Sequence, residues 1–207
     1  MARQSRDPFN LWIWGGVITS GQRLTVADAS TREDRLGEIP KPKFNTNGPI
    51  RVVVGPQDQH FAKGALKKFL SEKYRVTDAY DRMGMRVDGP MLALNGALSI
   101  PSEPIVRGSV QVSGDGVPTV LLADHQTTGG YPKIATVIAC DTDRLSQLRS
   151  GNTVTFTSLS GHQVSEAARA YALLLHQYLQ DISVPRGTLE QRLTRENLVT
   201  VWADDQP

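Results

Sequence analysis

The chain has 207 residues, of which 39% are hydrophobic and 21% charged, the composition of an ordinary globular protein. Its formal net charge of +2 gives no field strong enough to indicate a nucleic-acid or anionic-membrane partner, so we expect neither. The single cysteine, Cys140, excludes an intrachain disulfide and a zinc site built on several thiolates. We therefore expect no metal and a reduced, cytoplasmic setting.

The first 48 residues are predicted to be the remnant of a preceding domain plus a linker. LWIW and RLTV around GGVITSG (11–26) suggest a hairpin. The polar stretch 28–49 is rich in Pro, Lys, Asn and Thr and is the best linker in the sequence. The apolar stretch 11–18 is too short to span a bilayer and does not resemble a signal peptide. We place the domain boundary after residue 48 and a second domain over 49–207.

The second domain is predicted to consist mainly of short strands. They are expected in six places: 50–56, 74–80, 108–112, 119–124, 133–140 and 153–159. The Asp-Gly pair in SGDGVP indicates a hairpin turn between the third and fourth of them. The stretch 81–90 is interpreted as a polar turn that contains glycine.

Helices are predicted at four places. A helix capped by Asp58 is expected to carry four apolar residues roughly on one face: Phe61, Leu66, Phe69 and Leu70. A short helix is expected at 142–151, and the clearest helix of the chain at 164–180. Thr188 and Gln191 form a capping box for a last short helix.

This order of elements lacks the regular strand–helix alternation of a parallel sheet. We therefore predict a mainly β fold with accessory helices, in which most strands run antiparallel. A barrel is favoured over an open sheet, because a closed sheet has no exposed edges.

The most unusual stretch is LLADHQTTGGYPKIATVI (121–138), in which polar and glycine residues lie between two apolar runs. It contains neutral hydrogen-bonding side chains, one carboxylate, one lysine and two glycines that allow close approach of another group. Such a set is suited to a small amide, urea-like or carboxylated ligand. A polar loop that satisfies its own backbone is the alternative. The candidate site residues here are Asp124, Gln126, Thr127, Thr128, Gly129, Gly130, Tyr131 and Lys133.

A second candidate is DRMGMR (81–86), which contains Asp81, Arg82 and Arg86. Either arginine is suited to hold an anion, because a guanidinium matches a carboxylate with two hydrogen bonds. An Asp–Arg pair that only holds a turn is the alternative. His125 is a possible general base, although no nucleophile motif accompanies it. GPQDQH (55–60) lacks the GK[ST] ending of a P-loop, so the chain has no nucleotide-binding signature of its own.

The segment GSVQVSGDGVPTVLLADHQTTGGYPKIATVI (108–138) resembles the signature of the biotin-dependent carboxyltransferase family, second-subunit type. That family includes allophanate hydrolase subunit 2, KipA and the C subunit of 5-oxoprolinase. IRVVVGPQ (50–57) and DRMGMR with its following GP (81–90) occur in the same order as in that family. The T-T-V-Q-D-x-G-R motif of the family's first domain has no match, so most of that domain is expected to be absent.

The resemblance implies a cyclophilin-like β-barrel. It also implies a subunit of an ATP-dependent 5-oxoprolinase or related amide-processing complex, which opens 5-oxoproline to glutamate. The implied partners are a KipI-like first subunit (allophanate hydrolase subunit 1) and a LamB/YcsF-type subunit. ATP is then used by the complex, and biotin arrives only on a partner chain. Two alternatives stay open: a KipA-like regulator that binds a KipI-like kinase inhibitor, and carboxyl transfer from carboxybiotin to urea.

Carried over residue by residue, the resemblance implies two groups of site residues. The expected catalytic residues are Asp124, Thr128 and Lys133. The expected substrate-binding residues are Gln126, Thr127, Gly129, Gly130, Tyr131, Asp81, Arg82 and Arg86. The alternative is that the signature docks a partner subunit or braces the barrel.

Overall fold

The computed structural model describes residues 20, 21, 23, 39–42, 47–55, 57–96, 99–183 and 187–195. The chain divides into two compact units, one made of Met1–Glu38 with Pro185–Pro207 and the other of Ile39–Val184. The predicted hairpin at 11–26 lies almost entirely outside the described residues, as does most of the linker. The domain boundary after residue 48 stays a prediction.

The described part of the second unit contains the strands, one 3-10 turn and three α-helices. The strands are β1 (Ile50–Val54), β2 (Tyr74–Tyr80), β3 (Gly84–Asp88), β4 (Glu103–Pro104), β5 (Ser109–Val112), β6 (Pro118–Leu121), β7 (Thr128–Gly129), β8 (Lys133–Val137), β9 (Thr153–Val154) and β10 (Phe156–Ser158). The helices are a 3-10 turn (Asp58–His60), α1 (Ala65–Ser71), α2 (Ala139–Ser146) and α3 (Gly161–Ser183). The first unit contains α4 (Leu189–Arg195).

Eight strands form one sheet in the order β10-β1-β8-β5-β6-β3-β2-β9. All neighbours in it are antiparallel except β1 and β10. The two edge strands, β9 and β10, are separated along the chain only by Thr155. One continuous segment therefore pairs with β2 at one edge and with β1 at the other, and it nearly closes the sheet. This confirms the predicted mainly β, barrel-like fold with accessory helices.

The core lies inside the barrel and follows the two-residue period of the strands. Along β5, for example, Val110 and Val112 belong to the core cluster, whereas Gln111 between them does not. Helix α1 closes part of this core with Phe69, whose ring stacks on Phe156 at 4.4 Å between centroids. Burying a ring of this size contributes about 2–3 kcal/mol, which holds α1 against β10.

The helix predicted after Asp58 forms as α1, which contains Leu66, Phe69 and Leu70, but its predicted start at Asp58 is wrong. Asp58 starts only a 3-10 turn, and no side chain caps it. Phe61 then forms an isolated bridge with Leu94, and this pairing pulls the backbone away from helical geometry. The helix begins at Ala65, after Gly64 with a φ of 89°.

The interpretation of 81–90 as a turn is also wrong in its middle. Residues 81–83 turn and residues 89–90 bend, but Gly84–Asp88 between them forms β3. Met85 and Val87 are fully buried in the core, and their two-residue spacing was the signal for a strand.

The strand predicted over 133–140 ends at Val137, because Ala139 and Cys140 begin α2. The helix predicted over 142–151 therefore starts earlier and ends earlier than expected. Asp141 explains the early start, since its carboxylate accepts hydrogen bonds from the Arg51 backbone and side chain at 2.8 and 2.7 Å.

The two C-terminal helices are confirmed. Helix α3 contains the whole predicted range, and it begins where Ser160 and Gln163 exchange hydrogen bonds of 2.8 and 3.4 Å. Thr188 and Gln191 exchange the two hydrogen bonds of the predicted capping box, at 3.1 and 3.3 Å. No helix in the described part of the chain is both long and apolar enough to cross a membrane.

Candidate functional site

Strand register lines up three polar side chains on the outer face of the barrel. Arg86 of β3 is the partner of Thr119 in β6, and Thr119 is the partner of Gln111 in β5. Their neighbours Met85 and Val120 are fully buried in the core. Because side chains alternate along a strand, the row of Arg86, Thr119 and Gln111 faces away from the core.

An open pocket of about 380 Å³ lies over this row. It is bordered by the turn at 81–83 and by the loop 124–131, which come from two separate stretches of the sequence. Its lining residues are Asp81, Met83, Gly84, Arg86, Gln111, Ser113, Thr119, Leu121, Gln126 and Tyr131. The fold therefore brings four predicted site residues into one space: Asp81, Arg86, Gln126 and Tyr131.

Asp81 holds the turn at the edge of the pocket. Its Oδ1 atom accepts hydrogen bonds from the backbone N–H groups of Met83 and Gly84, at 2.8 and 3.2 Å. Its own N–H donates to the carbonyl of Gly84 at 3.0 Å. This is an Asx turn that fixes the β2–β3 hairpin, so the geometry gives Asp81 a structural task.

Arg82 and Asp124 tie the turn to the loop. Nε and Nη2 of Arg82 donate to the Asp124 carboxylate at 2.5 and 3.0 Å, and the backbone N–H of Asp124 donates to the carbonyl of Arg82 at 2.8 Å. The hydrogen bond and charge of Arg82 lower the pKa of Asp124. A carboxylate with a lowered pKa is a poor proton acceptor at neutral pH. The arrangement favours a positioning role for Asp124 over the predicted catalytic one.

Arg86 places a fixed cation at the pocket. Its Nη2 donates to Asp115 at 2.5 Å, and Asp115 also accepts from the Ser113 hydroxyl at 2.7 Å and the Val117 N–H at 3.1 Å. These hydrogen bonds, led by that of Arg86, lower the pKa of Asp115 to about 2. The other guanidinium donors of Arg86 have no acceptor among the described residues, so they are available to an anionic ligand group.

The Thr-Thr-Gly-Gly part of the loop is held through its backbone. β7 pairs with β4 in a separate two-stranded sheet. The Ile105 N–H donates to the carbonyl of Thr127 at 3.1 Å, and the Ile100 N–H donates to that of Gly130 at 2.8 Å. Thr127, Thr128 and Gly130 do not line the pocket. His125 is half-buried, and its Nδ1 lies 2.6 Å from the carbonyl oxygen of Gln126.

Lys133 lies outside the pocket, in a polar cluster that the sequence did not indicate. Its Nζ donates to Glu103 at 3.2 Å and to the carbonyl of Pro104 at 3.3 Å. The buried side chain of Gln57 completes the cluster, because its Nε2 donates to Glu103 at 2.6 Å and its Oε1 accepts from the Lys133 N–H at 2.8 Å. The cluster joins β4 to β8. This arrangement favours a structural role for Lys133 over the predicted catalytic one.

Gln111 is a pocket residue that the sequence reasoning missed. It is only 4% exposed, and its Nε2 makes one long hydrogen bond of 3.5 Å to the carbonyl of Tyr131. The available signal was a glutamine between two valines in the predicted strand GSVQV (108–112). Buried amides are normally fully hydrogen-bonded, so a glutamine at such a position indicates a special role.

A second pocket, of about 340 Å³, lies between α2 and α3. Cys140 is half-buried and lines this pocket together with Asp141 and Leu174. Within the described residues, no group of three or more His, Cys, Asp or Glu side chains is arranged to hold a metal ion.

The structure is thus a nearly closed, mainly antiparallel β-barrel with a polar pocket on its outer face. Residues 5–158 match the family described as carboxyltransferase domain, subdomain A and B. The chain therefore belongs to the carboxyltransferase domain family.

Two relatives each carry the name of the C subunit of 5-oxoprolinase. The one from Haemophilus influenzae is 34% identical over 165 residues, which are 80% of this chain and 52% of that protein. The one from Escherichia coli is 30% identical over 156 residues, which are 75% of this chain and 49% of that protein. The chain thus spans about half the length of these relatives.

The fold also occurs in a solved structure. The K. lactis urea amidolyase matches 67% of this chain with 9% of its own, at a TM-score of 0.60 and 20% sequence identity. At this identity the likeness extends to the fold alone.

Proposed function

We propose that the chain is a subunit of an ATP-dependent, 5-oxoprolinase-like complex and that its outer-face pocket binds the small amide substrate. The observation that carries the proposal is the row of Gln111, Thr119 and Arg86 under one open pocket. 5-Oxoproline has a lactam and a carboxylate. Neutral amide and hydroxyl groups suit the lactam, and a guanidinium suits the carboxylate. The names of the two relatives support the same substrate class.

In this proposal, the protein groups act mainly by orientation. Arg86 is held by Asp115, so it meets the substrate carboxylate without a large loss of side-chain freedom. Neutral donors beside the lactam then stabilise charge that develops on its carbonyl oxygen when the ring is opened. The Arg82–Asp124 pair and the Gln57–Glu103–Lys133 cluster hold the surrounding loop in position.

ATP is proposed to bind to another subunit. The pocket contains one guanidinium, which is already paired with Asp115, and no loop of the P-loop type borders it. These residues do not fit a triphosphate. Biotin, where the complex uses it, is proposed to arrive on a partner chain.

The proposed partners are a KipI-like first subunit and a LamB/YcsF-type subunit, in the cytoplasm. Since the pocket is open, we propose that the partner subunits supply further groups to the substrate site.

The test is ATP hydrolysis stimulated by 5-oxoproline, with this chain and both partner subunits mixed, and with this chain omitted as the baseline. Arg86→Ala is expected to raise the KM for 5-oxoproline about tenfold or more, because it removes one charge-assisted hydrogen bond. Arg107→Ala is the matched control, because Arg107 forms a similar exposed pair with Asp143 away from the pocket. A stable complex without stimulated hydrolysis contradicts the proposal and favours a KipA-like regulator, whereas carboxylation of urea favours carboxyl transfer.

A further inference from the structure

We propose that Gln111 is the residue that selects an amide ligand over an isosteric ester or acid, and that Gly129 is the spacer that makes this possible. The inference rests on the proposed function, because it takes the outer-face pocket as the ligand site.

The first observation is that the Gln111 amide makes few hydrogen bonds within the protein. The residue is 4% exposed, its Nε2 has one bond at the long limit of 3.5 Å, and its Oε1 accepts none among the described residues. Oε1 is not among the buried side-chain atoms that lack a partner, so solvent reaches it. The fold therefore places an accessible acceptor at the floor of the pocket.

The second observation is the direction of the Gln111 side chain. Val110 and Val112 on either side of Gln111 are fully buried in the core, so the glutamine projects to the outer face under the loop. The pairing of β5 with β8 shifts register between Val110 and Gln111. Irregularities of this kind re-aim a side chain and recur beside binding sites. The free lone pairs of Oε1 therefore open towards the pocket.

The third observation is the close approach of Gly129 to the Gln111 amide. A Cβ atom at position 129 would lie 2.5 Å from Nε2 of Gln111 and 3.2 Å from Cδ1 of Ile105. Gly129 belongs to strand β7 and does not adopt the left-handed backbone that requires glycine. A glycine at this position therefore leaves the Gln111 amide its present place, and the reason is space, not backbone conformation. Any larger residue would push the Gln111 amide out of its place.

The chemistry of the ligand follows from the amide. A glutamine offers one acceptor and two donors, so it can accept from an N–H and donate to the neighbouring C=O of a lactam or urea. An ester has no N–H, and it leaves Oε1 facing an oxygen atom. A site built to bond an N–H rejects analogues that lack it, because its own polar group stays unpaired.

The test is a titration of the isotope-labelled chain with two ring compounds of the same shape, 2-pyrrolidinone and γ-butyrolactone, followed by NMR. The Gln111 side-chain signal is assigned by its loss in Gln111→Met, a substitution of similar volume. We expect 2-pyrrolidinone to shift this signal and to bind about tenfold more tightly than the lactone. We expect the preference to disappear in Gln111→Met and in Gly129→Ala.

Two controls separate selectivity from folding. Gln147→Met changes a glutamine outside the pocket, and Gly161→Ala adds a Cβ where no atom lies within 4 Å. Both should keep the preference, and all variants should unfold cooperatively. A preference retained in Gln111→Met or in Gly129→Ala overturns the inference, and so does a wild-type chain that binds neither compound.

The two proposals fail separately. If the complex shows no stimulated ATP hydrolysis but the chain keeps the Gln111-dependent preference, only the proposed function is contradicted. Stimulated hydrolysis with unchanged selectivity in Gln111→Met contradicts only the role of Gln111.

Discussion

Arg82 and Asp124 are 42 positions apart in the sequence and form an exposed ion pair with two hydrogen bonds, of 2.5 and 3.0 Å. The pair connects the β2–β3 turn with the glycine-rich loop, and these two segments border the pocket. Two stretches that the sequence marked separately as candidate sites are thus parts of one structure.

The ion pair is expected to act as a unit. Arg82→Ala and Asp124→Ala should each raise the KM for 5-oxoproline of the reconstituted complex, and the double variant should be no worse than either, because both changes break one link. Since Arg82 lowers the pKa of Asp124, this group stays ionised at neutral pH. The pH profile of kcat should therefore be unchanged in Asp124→Asn. If Asp124→Asn instead removes an inflection from this pH profile and strongly lowers kcat, Asp124 acts as a catalytic base.

Lys133 is expected to brace the loop and not to react. Lys133→Met and Glu103→Gln should have similar effects, because they remove opposite ends of one ion pair. The free energy of unfolding should fall by no more than about 1 kcal/mol in either, since the Glu103 end is solvent-exposed. The decisive measurement is kcat of the complex. A catalytic Lys133 predicts that Lys133→Met abolishes turnover while Glu103→Gln leaves it close to wild type.

Asp141 is expected to make stability depend on pH. Burial by itself raises the pKa of its carboxyl, but hydrogen bonds from the side chain and backbone of Arg51 and the charge of Arg144 outweigh this and lower it. The stabilising contribution is therefore complete above the unfolded pKa of about 3.9, and it is lost as the pH falls through the folded value. Urea unfolding at pH 7 and at pH 3 measures it.

Asp141→Ala leaves the partly buried Arg51 and Arg144 without their carboxylate and should lower the free energy of unfolding by about 3 kcal/mol at pH 7. Asp143→Ala in the same helix is the matched control. Asp143 is exposed, so we expect a change below about 1 kcal/mol. Equal losses in the two variants would contradict the role given to the buried pair.

Tyr74 has a hydroxyl group that destabilises the fold and that a substitution can remove. Its ring packs in the core against Phe69 and Phe156, but its hydroxyl is buried without a hydrogen-bond partner in the described part of the chain. Burial, followed by the charge of Glu72, raises its pKa to about 12. Tyr74→Phe keeps the ring and removes the unpaired group, so it should stabilise the protein by about 1 kcal/mol.

Thermal or urea unfolding checks this prediction, with Tyr80→Phe as the control. Tyr80 is exposed, and its substitution should change stability by less than about 0.5 kcal/mol. Destabilisation in Tyr74→Phe would mean that the hydroxyl has a partner, such as an ordered water molecule.

Local patterns were sufficient for much of the fold. The Asp-Gly pair at 115–116 identified the β5–β6 hairpin, the three- and four-residue spacing along 164–180 identified α3, and the Thr188–Gln191 box identified the start of α4. Each of these signals depends on neighbours within about four residues, which is the range over which a sequence pattern is physically informative.

Local patterns gave the wrong conformation where pairing between residues far apart in the sequence decides it. Phe61 looked helical, but its bridge to Leu94 prevents a helix. Ala139 and Cys140 looked like the end of a strand, but the bonds from Arg51 to Asp141 favour the start of α2. In both cases a partner more than thirty positions away outweighs a weak local propensity.

The sequence by itself determined the class of fold, the family resemblance and the loop that borders the pocket. Only the tertiary structure decided which side chains share that pocket. Periodicity tells which face of a strand a residue occupies, but it does not tell which residue lies opposite on the next strand. The register that places Gln111 beside Thr119 and Arg86, and the packing of Gly129 over the Gln111 amide, arise from contacts across the barrel.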